Sequence, residues 1–190
     1  MRELYRLYDR DQLFRRYGVA VIQENHKAGG RKDMKAQVID VYDREVINKM
    51  LGIYSEFLAE TKYPITANRE KAWERFFYTI QDPDGGIIVA IDDDGSIMGG
   101  AVVYAVADWQ DEIFGYVEKF FVSPRYRGKG AGRIIADRVC QWFDEKKAVL
   151  SFATATANIG ASGQFRNLMA KYGYQDLGPT LAREYQHGKI

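Results

Sequence analysis

The sequence predicts one mixed α/β domain in which helices pack on a sheet. Three stretches carry that prediction: an amphipathic helical stripe from Val46 to Leu58, a strand pair from Ile87 to Ala107 around an acidic turn, and a strand, Gly-rich turn and helix from Tyr116 to Phe143. A chain of 190 residues that is 46% hydrophobic and 14% aromatic can fill one substantial core.

Residues 1–35 stand apart as a mildly basic extension, with nine Lys or Arg against five Asp or Glu. Leu4, Leu7 and Tyr8 have helical spacing there, and Gly18 to Ile22 reads as a short strand. The extension is a packing or flexible appendage or else a docking element, and the domain proper is expected over 36–190. Lys35 to Val41 alternates as a strand, and Asp43 offers an N-cap. Val46, Ile47, Met50, Leu51, Tyr54, Phe57 and Leu58 then mark the core face of a helix.

Pro64 breaks the pattern, and Asn68 can cap a second helix through about Ile80. Its Trp73, Phe76, Phe77 and Ile80 share one face, for core packing, for a substrate groove, or for both. Ile87–Ile91 and Ile97–Ala107 read as a hairpin around Asp92-Asp93-Asp94-Gly95. That turn lacks the spaced oxygen ligands and closing glutamate of a calcium loop, so it is read as turn chemistry. Tyr116–Val122 is the next strand, ended by Ser123-Pro124, and Ile135, Val139, Trp142 and Phe143 line the helix that follows. A strand is expected over Val149–Thr156, a helix over Ser162–Tyr172 and a closing strand over Leu181–Gln186.

Composition removes several function classes. Lys plus Arg number 27 against 26 Asp plus Glu, which argues against a nucleic-acid or acidic partner on overall charge. One cysteine, Cys140, and two histidines exclude a disulfide framework and leave too few ligands for a Cys-rich metal site, so no metal is expected. No run reaches the roughly 18 apolar residues of a membrane span, and the first residues lack a secretion signal. A soluble, cytoplasmic protein is the expectation.

Between the Tyr116–Val122 strand and its helix lies Arg127-Gly128-Lys129-Gly130-Ala131-Gly132. Glycines there let the backbone approach a ligand and present N–H groups at a helix N-terminus, which attracts phosphate. A nucleoside-triphosphatase loop needs Lys then Ser or Thr, whereas Gly132 is followed by Arg133 and Ile134. The even spacing of Gly128, Gly130 and Gly132 also departs from the dinucleotide fingerprint.

The stretch from Tyr116 to Gly132 resembles the acetyl-CoA-binding segment of the GNAT superfamily of N-acetyltransferases. That family's signature is Arg or Gln, two variable residues, Gly, one variable residue, then Gly or Ala, and Arg127, Gly130 and Gly132 satisfy it. The resemblance extends to element order over roughly 36–186 and implies a mixed, mostly antiparallel sheet of about six or seven strands with about four helices. It further implies that amides from Arg127 to Gly132, Lys129 and Ala131 included, bind the CoA pyrophosphate. Phe121 and Val122 would hydrogen-bond the pantetheine arm, one of them meeting the developing oxyanion, and Asn158 would touch the same arm.

By the same resemblance Glu118, four residues before Val122, is the candidate base for an amine nucleophile. The family's Tyr acid would fall four residues before Gly173, where this chain has Met169. Tyr172 is the candidate substitute, with water or Ser162 as alternatives. Cys140 reads as a small core residue. The activity implied is direct transfer of an acetyl group from acetyl-CoA, as co-substrate, to a primary amine on a small molecule or protein. Asp108, Asp111 and Glu112 would suit a cationic acceptor. A catalytically silent acyl-CoA-binding or docking module is the alternative, and such folds also admit a homodimer.

Overall fold

A computed structural model of the chain describes residues 34–60, 68–107, 109, 111–153 and 162–175. The expectations for the extension before Met34, for Asp108, for Asn158 and for a strand at Leu181–Gln186 lie outside the described residues.

Strand β1 (Lys35–Ile39) leads to α1 (Arg44–Ala59). Asp43 caps that helix as expected, its carboxylate accepting from the N–H of Glu45 at 2.8 Å and of Val46 at 3.2 Å. Such a cap contributes about 1 kcal/mol. Asn68 opens α2 (Arg69–Gln81) in the same way, accepting from Lys71 N–H at 3.1 Å. The hairpin is β2 (Gly85–Ile91) and β3 (Ile97–Ala107), followed by β4 (Ile113–Val122), α3 (Ala131–Glu145), β5 (Leu150–Ala153) and α4 (Ser162–Ala170).

Sequential strands are neighbours throughout the sheet: β1 to β4 pair antiparallel and β5 joins β4 in parallel. The class is the mixed, mostly antiparallel sheet expected, with five strands among the described residues in place of six or seven. Alternation along β2 divides the core. Ile87, Val89 and Ile91 point to α1 and α2, where Met50, Leu51 and Phe76 wait, while Ile88 and Ala90 point to Ile135, Val139 and Trp142 of α3. Trp73 and Ile80 pack against the first of these clusters and Phe77 meets Tyr42 edge-on at 5.4 Å, so the aromatic face of α2 serves the core.

Two features of β4 prepare a site. Val102 faces Lys119 and Val103 faces Val117, so Glu118 is an extra, unpaired residue in a β-bulge. The bulge changes which side chains face α3: Val117 lies on that face, and beyond it Phe120 and Val122 do, while Phe121 turns to the α1 and α2 side. In addition, β5 pairs with Phe114–Val117, and among the described residues nothing pairs with the far half of β4 on that edge. Gly115 allows α3 to lie close beneath, since a Cβ there would sit 2.7 Å from the Phe143 ring.

Candidate functional site

The open edge of β4 presents alternate peptide groups. Ser123 N–H donates to Met98 O at 2.9 Å, toward β3, and Val122 O faces away and accepts from Arg127 Nε at 3.2 Å. Strand alternation therefore turns the Val122 and Phe120 N–H groups toward the gap beyond β5, and directs the Phe121 peptide at its partner Gly100. Val122 is placed as expected for a backbone contact. Phe121 is not: its peptide faces β3 and its ring is buried beside Tyr54, centroids 5.4 Å apart. The Phe120 N–H faces that side instead, and the bulge that shifts the alternation has no signature in the sequence.

At the end of β4 a short 3-10 turn, Pro124–Tyr126, runs into the Gly-rich turn. Gly128 (φ 73°) and Gly130 (φ 102°) are left-handed, a conformation costly for any side chain, and Gly130 is the N-cap of α3. Arg133 and Ile134 N–H groups both reach back to Gly130 O, at 2.9 and 3.2 Å. The N–H groups of Ala131 and Gly132, in the first turn, have no acceptor within the helix and sit at its positive end. Gly128 and Gly130 are exposed and Gly132 is partly exposed, whereas Ala131 is buried and the Lys129 N–H already donates to Tyr126 O at 3.3 Å. These residues fit a pyrophosphate.

Arg127, whose amide is expected among the pyrophosphate donors, already donates its N–H to Pro124 O at 3.3 Å. Its guanidinium pairs with Glu60 at 2.7 Å, next to the α1 C-terminus, while its Nε holds the β4 carbonyl. The side chain thus ties α1, β4 and the turn together, leaving the turn's amides to meet a ligand. Arg127→Gln and Glu60→Gln should each weaken acetyl-CoA binding about fivefold, and the double variant no further, because one exposed pair is worth up to about 1 kcal/mol. Calorimetry on the four proteins checks this.

On the opposite face of the sheet, Glu118 lies 3.4 Å from Arg75 of α2 and 4.0 Å from Lys119. Arg75 also stacks over the Tyr104 ring at 5.1 Å. Thr79 donates to Arg75 O at 2.8 Å, so its 2.6 Å contact with Tyr104 uses the phenol as donor. Burial raises the Tyr104 and Tyr54 phenols above 10.0, with the Glu118 charge adding to both. Both remain protonated donors near the carboxylate. The sequence reading placed Tyr54 only on the core face of its helix and singled out neither Arg75 nor Tyr104; strand alternation from Val102 could have placed Tyr104.

Tyr172 has separate partners. Its hydroxyl contacts Asp137 Oδ1 at 2.6 Å and Arg133 O at 3.2 Å, both on α3. Partial burial, then the hydrogen bond to Asp137 and that carboxylate's charge, push the phenol up to about 12. Because the folded value lies above the ordinary 10.0, the stabilisation is complete below pH 10.0 and is lost as pH rises toward about 12. Tyr172→Phe should therefore lower stability at neutral pH and flatten its decline over that alkaline window, measured by denaturant melts across pH.

Met169 is buried, and the Cys140 thiol is half-buried and raised by burial, then by Asp144 and Asp137. Asp111 and Glu112 are exposed before β4. Among the described residues no group of three or more His, Cys, Asp or Glu side chains could hold a metal ion.

Comparison with known proteins agrees with this geometry. A soil-metagenome aminoglycoside acetyltransferase solved with sisomicin superposes with TM-score 0.62 at 15% identity, over 82% of this chain and 97% of that one. Glucosamine-6-phosphate N-acetyltransferase from Arabidopsis thaliana gives 0.61 at 13%, over 80% and 99%. A predicted acetyltransferase from Clostridium acetobutylicum, solved with acetyl-CoA, gives 0.62 at 17%, over 81% and 99%. At such identities these likenesses show the fold. A comparison with curated protein sequences returns no match. The family model for the acetyltransferase (GNAT) family matches residues 50–174, which run from within α1 to just past α4 and include the bulge and the Gly-rich turn. The chain belongs to the acetyltransferase (GNAT) family.

Proposed function

We propose that the protein transfers an acetyl group from acetyl-CoA to a primary amine by direct attack, with both substrates bound. The observation that carries this reading is β4, paired along half of one edge among the described residues: one strand turns the Phe120 and Val122 N–H groups to that edge, runs into the Gly-rich turn at the head of α3, and carries a carboxylate on a bulge.

The exposed Gly128 and Gly130 and the partly exposed Gly132, at the head of α3, hold the pyrophosphate, and the edge of β4 guides the pantetheine arm between β4 and β5. The thioester supplies an electrophilic carbonyl. The Val122 N–H meets the negative charge that develops on the carbonyl oxygen. As the amine nitrogen bonds to carbon, Glu118 takes the amine proton; it lies four residues from Val122, about 13 Å along an extended strand, so water relays the proton. The carbon–sulfur bond breaks and the thiolate takes a proton from water. We assign Tyr172 to packing between α3 and α4, since its hydroxyl is committed to Asp137.

Thiol release from acetyl-CoA against a panel of amines and peptides tests the reading. Turnover with an amine, and an acetylated product by mass spectrometry, is the expected result. Acetyl-CoA binding without thiol release for any acceptor would contradict it and favour a silent binding module.

A further inference from the structure

Resting on that reading, we infer that the acceptor is a primary amine carrying an aromatic ring, and that an exposed ring platform beside Glu118 is its binding surface. Cross-strand register sets two rows of side chains on the face opposite α3. Tyr104, Tyr116 and Phe152 form one row, and Val106, Phe114 and Leu150 the next. The rings are in contact: Tyr116 stacks on Phe152 at 5.4 Å and 22°, and Phe114 lies 6.2 Å from Phe152. Yet this surface is open, with Val106 49%, Tyr116 42% and Leu150 51% exposed. An exposed apolar patch of this kind marks a binding surface.

Glu118 follows Tyr116 by two residues on the same strand, about 7 Å along it, so one end of an apolar platform carries a carboxylate. A ring lying on Tyr116 and Phe152 would place an amine on a tether of about two carbons within reach of Glu118. The charges narrow the class further. Arg75 at 3.4 Å and Lys119 at 4.0 Å already attend the Glu118 carboxylate, which disfavours a polycation there.

Thiol release at saturating acetyl-CoA, with phenethylamine, hexylamine and spermidine as probes, tests this. Phenethylamine should show a kcat/KM about tenfold above hexylamine, with spermidine last. Tyr116→Ala and Phe152→Leu should each raise the KM for phenethylamine by up to about tenfold while leaving its kcat and the KM for hexylamine little changed; Tyr116→Phe should retain the wild-type values. Hexylamine or spermidine leading, or Tyr116→Ala lowering turnover equally for all probes, would overturn the inference while leaving acetyl transfer intact. A change in sedimentation rather than KM in Tyr116→Ala would also overturn it, assigning the platform to a second copy of the chain. Thiol release from none of the probes or any other amine would overturn the proposed function with it.

Discussion

Glu118→Gln is expected to lower kcat by about two to four orders of magnitude while leaving acetyl-CoA affinity unchanged. The amide keeps the shape of the side chain and can still accept from Arg75 at the bulge, so the strand and the Arg75 contact survive. What it loses is the capacity to accept the amine proton. Since the carboxylate is one-third exposed and its ion pairs are long, at 3.4 and 4.0 Å, the variant should fold as well as wild type. Raising pH should recover part of the lost rate, because more of the amine is then already neutral. A merely structural role for Glu118 would lower stability without a change in the pH profile of kcat.

Gly130→Glu is expected to weaken acetyl-CoA binding by at least about a hundredfold. Two costs combine. A side chain at φ 102° is strained by about 1–3 kcal/mol, and its Cβ would also lie 3.1 Å from the Met34 methyl. The added carboxylate would then stand at the α3 N-terminus, where it competes for the amide donors that otherwise receive the pyrophosphate. Gly130→Ala separates the two, keeping the strain without the charge, and should fall between wild type and Gly130→Glu. Titration calorimetry on the three proteins, with thermal melts to confirm folding, reads both contributions.

The parts of this fold visible in the sequence are those written locally. Asp43 and Asn68 announce their helices because a cap needs only a side-chain oxygen and the next turn's amides, and both caps form. The hairpin at Asp92–Gly95 and the turn at Gly128–Gly130 follow from residues suited to tight or left-handed backbone. Strand ends were less legible. Ile113 to Gly115 belong to β4, although an aromatic and a glycine gave no clear alternation before Tyr116. The bulge at Glu118 was invisible, because an unpaired residue is defined by the neighbouring strand's register and not by its own identity.

The same distinction holds at the site. The Gly-rich turn could be read from spacing, since its left-handed backbone is set by its glycines. The surroundings of Glu118 could not, because Arg75, Tyr104 and Tyr54 come from α2, β3 and α1 and meet only after those elements have packed. Arg127 shows the limit of a motif: its position was legible, while its partner Glu60 lies 67 residues earlier. Tyr172, chosen for its nearness to the helix end, is held by Asp137, whose place on α3 becomes relevant only when the two helices lie side by side.

The most direct test of the account is calorimetric titration of acetyl-CoA into the wild-type protein. Saturable binding at one site per chain, weakened by added salt and lost in Gly130→Glu, is the predicted result. Absence of binding, or equal binding to both proteins, would contradict the assignment of the Gly128–Gly132 turn on which the proposed chemistry stands.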